Sequence, residues 1–210
     1  MCEQMFSARV VAVPIDQLDH LGQIRITALS VRAPHPLFEH EEEGIILEDD
    51  CLPSSYFFEY AASMLVSYRH CEKVMHIGGI NYQPMDESLN TSYYFSNIPH
   101  IWGWATWRRA WNYYDSELTG LREFVASGSW RELDEDIDIC YFWISCFYSA
   151  WSRILNTWDY QWCFSILSRH GLSISPGRNL VENVGFGGDA THTKNGISPP
   201  LSKSLGSEFW

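Results

Sequence analysis

Features that would assign the chain to several common classes of protein are missing from this sequence. The six cysteines include no C-x-x-C pair and keep no metal-ligand spacing with histidine, so we expect the reduced thiols of a cytoplasmic protein. Positive charge is scarce as well, because 14 Lys and Arg stand against 26 Asp and Glu and the net charge is −12. Such an acidic chain is not expected to bind nucleic acid.

Long apolar runs are also missing. None of them reaches the roughly 20 residues that cross a bilayer, and no basic segment followed by an apolar core marks a secretory signal. We therefore expect no transmembrane segment, and peripheral membrane association stays open. What the chain does have is 46% hydrophobic residues and ten tryptophans, enough for one globular domain over residues 1–210 with an aromatic core or aromatic-lined surfaces.

The stretch GIILEDDCLP joins a short apolar run to three consecutive acids. Ile45–Leu47 reads as a buried strand, because strands covered on both faces are continuously apolar. Glu48, Asp49 and Asp50 then lie at its carboxyl end, the edge at which open α/β sheets bind ligands. Three adjacent carboxylates repel one another unless a hard cation such as Mg²⁺ or Mn²⁺ neutralises them. The alternative is a solvated acidic turn before Pro53.

A strand–helix–strand unit surrounds these acids. The apolar spacing over 56–69, after Pro53-Ser54-Ser55, predicts a capped helix, and 74–77 reads as a second buried strand. A crossover unit of this length places the two strands parallel in one sheet, with the acids between them. Gly78 and Gly79 follow the second strand, where a glycine pair permits either a close backbone approach to a ligand or a plain tight turn.

The remaining pattern completes an α/β chain. A proline-rich break at 33–36 and an acidic, solvated turn at 39–43 precede the central strand. Further elements are expected as strands at 9–15, 93–95 and 172–174, a strand or short helix at 24–31, a charged surface helix and turn within 116–138, and helices at 139–154 and 156–169. The tail 197–210 is expected to be loosely held.

Two tryptophan-rich motifs carry candidate binding residues. In HIWGWATWRRAW, residues Trp104, Trp107 and Trp111 have helical spacing, which predicts one helix face that packs in the core or presents a platform to a sugar. In NTWDYQW, Asp159 lies near a helix start, where it either caps the helix or is an anion stabilised by the helix dipole. His192 follows a glycine-rich loop, and together with the carboxylates it becomes a candidate Mn²⁺ ligand.

The motifs GIILEDDCLPS, YYFS, HIWGWATWRRAW, NTWDYQW and NLVENVGFGGDATHT occur in this order between about residues 37 and 195. Together they resemble bacterial nucleotide-diphospho-sugar transferases of the GT-A type, relatives of the eukaryotic enzyme that adds the first branching N-acetylglucosamine to N-glycans. The resemblance implies a Rossmann-like mixed sheet flanked by helices. It also implies a metal-dependent, inverting transfer of a sugar from a nucleotide-diphosphate donor, a UDP-sugar in the first instance, to a glycan hydroxyl.

The resemblance also implies roles for individual residues. The acidic triplet would hold Mn²⁺ or Mg²⁺ against the donor diphosphate, with Asp50 as a direct ligand. The resemblance also puts the glycine-rich loop before His192 near the donor, so His192 is a candidate second ligand. Asp159 would be the base that accepts the proton of the acceptor hydroxyl, although the eukaryotic relatives carry two adjacent acids where this chain has Asp159 and Tyr160. The residues implied to contact donor or acceptor are Glu48, Asp49, Asp50, Gly78, Gly79, Trp102, Gly103, Trp104 and Trp158.

The sequence departs from the family before Leu37. Enzymes of this type begin with a strand and helix that bind the nucleotide base, and residues 1–36 do not resemble that segment. Such a chain is expected to keep the centre of the fold and to bind its donor poorly. Two alternatives therefore stand beside the enzyme: a noncatalytic carbohydrate-binding protein and a truncated, inactive relative.

Overall fold

The computed structural model describes residues 11–13, 27–28, 35–48, 50–82 and 91–184. The strands are β1 (Val11–Val13), β2 (Thr27–Ala28), β3 (Glu43–Leu47), β4 (Cys51–Pro53), β5 (Val74–Gly78), β6 (Tyr93–Ser96), β7 (Trp104–Trp107), β8 (Leu172–Pro176) and β9 (Val181–Asn183). The helices are α1 (His35–His40), α2 (Ser55–Tyr68), α3 (Arg108–Trp111), α4 (Leu121–Ser127), α5 (Ile137–Trp151) and α6 (Asp159–Leu167), with a 3₁₀ helix at Ser129–Glu132.

Seven strands form one mixed sheet in the order β2-β1-β3-β7-β5-β8-β6, and β4 and β9 form a separate two-stranded sheet. Within the large sheet β5 and β8 are parallel, and the other described pairings are antiparallel. The predicted α/β class and mixed sheet flanked by helices are confirmed. From the segment before residue 37, β1 and β2 extend this sheet, and β1 runs antiparallel to β3.

The two buried strands lie parallel in one sheet, as predicted, but they are not paired with each other. β3 and β5 point in the same direction, but β7 lies between them and is antiparallel to both, with Ala105 opposite Ile45 on one side and Ile77 on the other. A continuous apolar run indicates that a strand is covered on both faces. It carries no information about which other strand lies beside it, so the pairing with β7 was missed.

β3 separates two of the apolar clusters. Ile45 and Leu47 face the cluster that includes Phe57 and Leu65 of α2, whereas Ile46 faces the opposite cluster, which includes Trp162. This alternation follows from the strand itself, since successive side chains point to opposite sides of a sheet. The predicted helix at 56–69 is confirmed as α2, and its predicted buried face packs against the sheet.

The prediction of one helix over the first tryptophan motif is wrong. Trp104 and Trp107 are the two ends of β7, so they belong to different clusters on opposite faces of the sheet, and only Arg108–Trp111 is helical. Side chains three residues apart lie on the same face of a helix, but in a strand they lie on opposite faces. Trp104, Trp107 and Trp111 are at most 5% exposed, in agreement with the packing interpretation.

Three smaller features of the structure differ from the sequence predictions. A short helix, α1, spans the predicted break, and Pro36 falls in its first turn, where a missing N–H costs no helical hydrogen bond. Glu43 is not solvated, because its carboxylate pairs with the guanidinium of Arg69. β4 and β9 were not predicted, since each has three residues and neither alternates clearly.

A further cluster lies between α4, the 3₁₀ helix, α5 and α6. α5 and α6 confirm the helices predicted at 139–154 and 156–169. Among the described residues, no helix combines the length and apolar character that crossing a bilayer requires. The described cysteines, which exclude Cys2, are free thiols.

Candidate functional site

The candidate site is the acidic turn, residues 48–51, which follows β3. Its backbone reverses through a hydrogen bond in which the amide of Cys51 donates to the carbonyl of Glu48 at 3.0 Å. The side chains of Glu48, Asp50 and Cys51 are half-buried, and one ligand atom from each lies within 4.8 Å of the others. Asp49, the middle acid, lies outside the described residues. The turn thus brings together two of the predicted acids and a thiol that was not predicted.

The thiol of Cys51 is held in its protonated form. Burial raises its pKa above the ordinary value, and the neighbouring carboxylates of Asp50 and Glu48 raise it further, while backbone groups of Glu48 and Gly103 lower it. The thiol donates to Oδ1 of Asp50 at a sulfur–oxygen distance of 3.7 Å. The carboxylate oxygens of Glu48 and Asp50 suit a hard cation.

A second chain segment is attached to this turn. Cys51–Pro53 of β4 pairs with Val181–Asn183 of β9, and the amide of Val184 donates to the carbonyl of Asp50 at 2.8 Å. The chain therefore leaves β9 beside Asp50 before it enters the glycine-rich loop. That loop, His192 and the tail 197–210 lie outside the described residues, so the predicted ligand role of His192 stays a prediction.

The glycines at this edge are packed against protein. A Cβ on Gly79 would lie 2.6 Å from Cγ2 of Val181 and 2.7 Å from the carbonyl oxygen of Gly103, which also accepts a 2.7 Å hydrogen bond from the Gly79 amide. Gly103 has φ +64° and a similarly close contact with Val181. Gly78 is a buried residue of β5 with ordinary contacts. At Gly79 the close approach is made by Val181 of β9 and by Gly103, and the ligand contact predicted for the glycine pair stays a prediction.

The predicted substrate-binding tryptophans differ in exposure. Trp104 is fully buried and stacks on His76 and Trp158, with ring centroids 5.2 and 5.7 Å away. Trp102 and Trp158 are half-buried, and Trp102 lies 6.2 Å from the ring of Tyr82. Trp104 therefore has no ring face for a sugar in this conformation, whereas Trp102 and Trp158 keep exposed surface.

Asp159 is the first residue of α6 and follows the N-cap residue, Trp158. Its Oδ1 accepts hydrogen bonds from the amide of Tyr160 at 2.8 Å and from the hydroxyl of Thr157. A carboxylate in the first turn of a helix is stabilised by the dipole. The tryptophans on either side of Asp159 in sequence, Trp158 and Trp162, both pack on Trp104, which ties this helix start to the sheet edge.

His76 is a residue that the sequence reasoning missed. It is fully buried in β5, donates from Nε2 to the carbonyl of His100 at 2.9 Å, and accepts at Nδ1 from the indole N–H of Trp162 at 3.2 Å. Burial lowers the pKa of His76 to about 3. This neutral imidazole joins β5, α6 and the segment leading to Trp102. Its signal was a lone histidine inside the apolar run VMHIG, a pattern that does not reveal its partners.

Comparison with known proteins gives no assignment of its own: neither a protein-family model nor a curated protein matches this chain. The function must therefore be argued from the residues and their geometry.

Proposed function

We propose that the protein is a metal-dependent inverting glycosyltransferase that moves a sugar from a nucleotide-diphosphate donor to a glycan hydroxyl. The observation that carries the proposal is the acidic turn: carboxylates of Glu48 and Asp50 meet at the carboxyl end of strand β3. The ordered motifs that resemble GT-A enzymes support the same function, and Asp159 supplies a separate carboxylate for proton transfer.

The donor set of the acidic turn fits a hard divalent cation. Glu48 and Asp50 would hold Mn²⁺ or Mg²⁺, because their carboxylate oxygens converge and hard cations prefer oxygen ligands. The bound cation would supply positive charge to stabilise the negative charge of the departing diphosphate. Without it, two carboxylates held this close destabilise each other. Donor binding should therefore depend on both the cation and Asp50.

Asp159 is assigned the role of general base. The hydrogen bonds from Thr157 and Tyr160 both reach Oδ1, so they orient the carboxylate and we assign proton transfer to Oδ2. The acceptor hydroxyl oxygen forms a bond to the anomeric carbon, its proton passes to Oδ2, and the bond from the anomeric carbon to the diphosphate oxygen breaks. The configuration at the anomeric carbon is inverted by this single displacement.

The burial of the tryptophans favours the enzyme over a noncatalytic carbohydrate-binding protein. A binding platform needs exposed aromatic faces, but Trp104, Trp107, Trp111 and Trp162 are core residues. In the two tryptophan motifs, Trp102 and Trp158 are the half-buried ones, which suits contacts beside a reacting sugar better than an extended platform.

The decisive experiment measures UDP binding by calorimetry, and UDP-sugar hydrolysis and transfer, with and without Mn²⁺. We expect Mn²⁺-dependent binding and turnover in the natural chain and loss of both in Asp50→Asn, whose fold should be intact. Glu59→Gln removes an equal charge from an exposed position on α2 and serves as the matched control. Equal UDP affinity in Asp50→Asn and the natural chain would contradict the metal site, and absence of Mn²⁺-dependent turnover with a panel of nucleotide sugars would contradict the enzyme.

A further inference from the structure

α5 has two apolar faces. One, including Trp143, Phe147 and Ala150, is buried against its neighbours. The other is what we call the exposed stripe: Ile137, Tyr141, Ile144, Tyr148 and Trp151. Apart from the half-buried Ile144, these side chains are 39% to 56% exposed. A helix of a solitary globular domain normally presents polar residues on the side away from the core.

The spacing of the exposed stripe is that of a helix–helix contact. The separation between successive members alternates between four and three residues, which gives the average repeat of 3.5 residues found in packed helices. The apolar surface continues past α5 into exposed Ile154 and Leu155. With about half of each large ring exposed, the patch amounts to on the order of 500 Å², and a standard interface uses roughly 800 Å² per partner, including a polar rim.

The charges at the two ends of α5 are opposite. Exposed acids, Glu135, Asp136 and Asp138, surround its start. At its end, the Arg153 side chain is 79% exposed and pairs with the exposed carboxylate of Glu117 at 3.2 Å, and the guanidinium of Arg122 lies over the ring of Trp151. A second copy of α5 running in the opposite direction would place each acidic end beside a basic end, whereas the overall negative charge disfavours an anionic membrane surface.

We propose that the exposed stripe is a dimer interface with a second copy of this chain, in which the two α5 helices pack antiparallel across a two-fold axis near Ile144. The same patch then serves both copies, as two-fold symmetry requires. The antiparallel register brings Arg153 of one protomer close to the acidic start of α5 in its partner. This inference does not depend on the proposed function.

The test is analytical ultracentrifugation of the full chain over a wide range of concentration. We expect a monomer–dimer equilibrium whose Kd rises at least about 30-fold in Tyr148→Glu, since a central aromatic residue is the type of side chain that dominates interface energies. Phe142→Glu is the control: Phe142 is an aromatic residue of α5 that is 55% exposed, against 39% for Tyr148, but it lies off the exposed stripe. The Kd of this variant should therefore stay within about threefold of the natural value.

A charge exchange tests the antiparallel arrangement. Arg153→Glu should weaken the dimer, and combining it with Glu135→Arg should restore most of the affinity, with an effect that decreases at high salt. Circular dichroism confirms that each variant is folded, which exposed positions should permit. A chain that stays monomeric at millimolar concentration, or a dimer that Tyr148→Glu leaves intact, overturns the proposal. The proposal is also overturned if the chain is a monomer in which Tyr148→Glu increases hydrogen exchange within residues 185–210, because these residues would then cover the exposed stripe.

Discussion

The buried imidazole of His76 predicts a steep loss of stability in mild acid. In the unfolded chain this histidine is protonated near pH 6.5, but in the folded protein burial lowers its pKa to about 3. Between these values the unfolded state binds more protons than the native state, so the free energy of unfolding falls as the pH falls. The free energy of unfolding therefore has its full value above about pH 6.5 and is reduced progressively as the pH approaches 3.

The size of the effect follows from the two pKa values. One pKa unit corresponds to about 1.36 kcal/mol, so lowering the pH from 7 to 5 costs about 2 kcal/mol through His76. His100, whose pKa burial lowers to about 4, adds a comparable loss over the same interval. Together they amount to about 4 kcal/mol, a large fraction of the roughly 5–15 kcal/mol that stabilises a typical domain.

Urea unfolding followed by tryptophan fluorescence between pH 7 and 5 measures this loss. His76→Gln keeps an amide donor and acceptor but cannot be protonated, so we expect lower stability at pH 7 and a pH slope reduced by about one proton. His70→Gln, which replaces a histidine at an exposed position, is the matched control. If His76→Gln had the natural slope, the imidazole would not be the linked group.

The protonation state of His76 can also be measured in the natural chain, which avoids any folding defect of the variant. The NMR signal of the His76 ring should not shift between pH 7 and 5, and its Nδ1 should show the chemical shift of an unprotonated nitrogen, because it accepts from Trp162. A His76 signal that titrates near pH 6.5 would refute the argument.

Two further predictions concern the proposed reaction. Asp159→Asn should keep the affinity for UDP and cost at most about 1 kcal/mol in stability, because the amide oxygen can still accept from Tyr160, while sugar transfer should slow by on the order of 10²–10⁴. A normal transfer rate would mean that Asp159 only orders the helix start, and Glu182 and Asp189 would be the next acids to test. If the imidazole is a metal ligand, His192→Ala should weaken UDP binding more at low than at saturating Mn²⁺, which UDP titrations at several Mn²⁺ concentrations measure. An equal loss at every concentration would mean that His192 instead contacts the diphosphate or packs the loop.

Local sequence patterns determined the elements whose signal lies within a few neighbouring residues. Continuous apolar runs identified β3 and β5, and helical periodicity identified α2 with its buried face. The position of the acids directly after β3 was equally local. These predictions succeeded because burial of an apolar face stabilises a strand or helix of the matching period almost regardless of what covers it.

The tertiary structure alone decided which elements became neighbours. Trp104 and Trp107 fit both a helical spacing and a short strand, and pairing of β7 with β3 and β5 selected the strand. Likewise, only the folded turn showed that the thiol of Cys51 lies beside the carboxylates of Glu48 and Asp50. The glycines allowed a close approach, and β9 makes it. His76 shows the same limit, because its partners are 24 and 86 residues away in the chain, and contacts at that separation depend on the packing of the whole sheet.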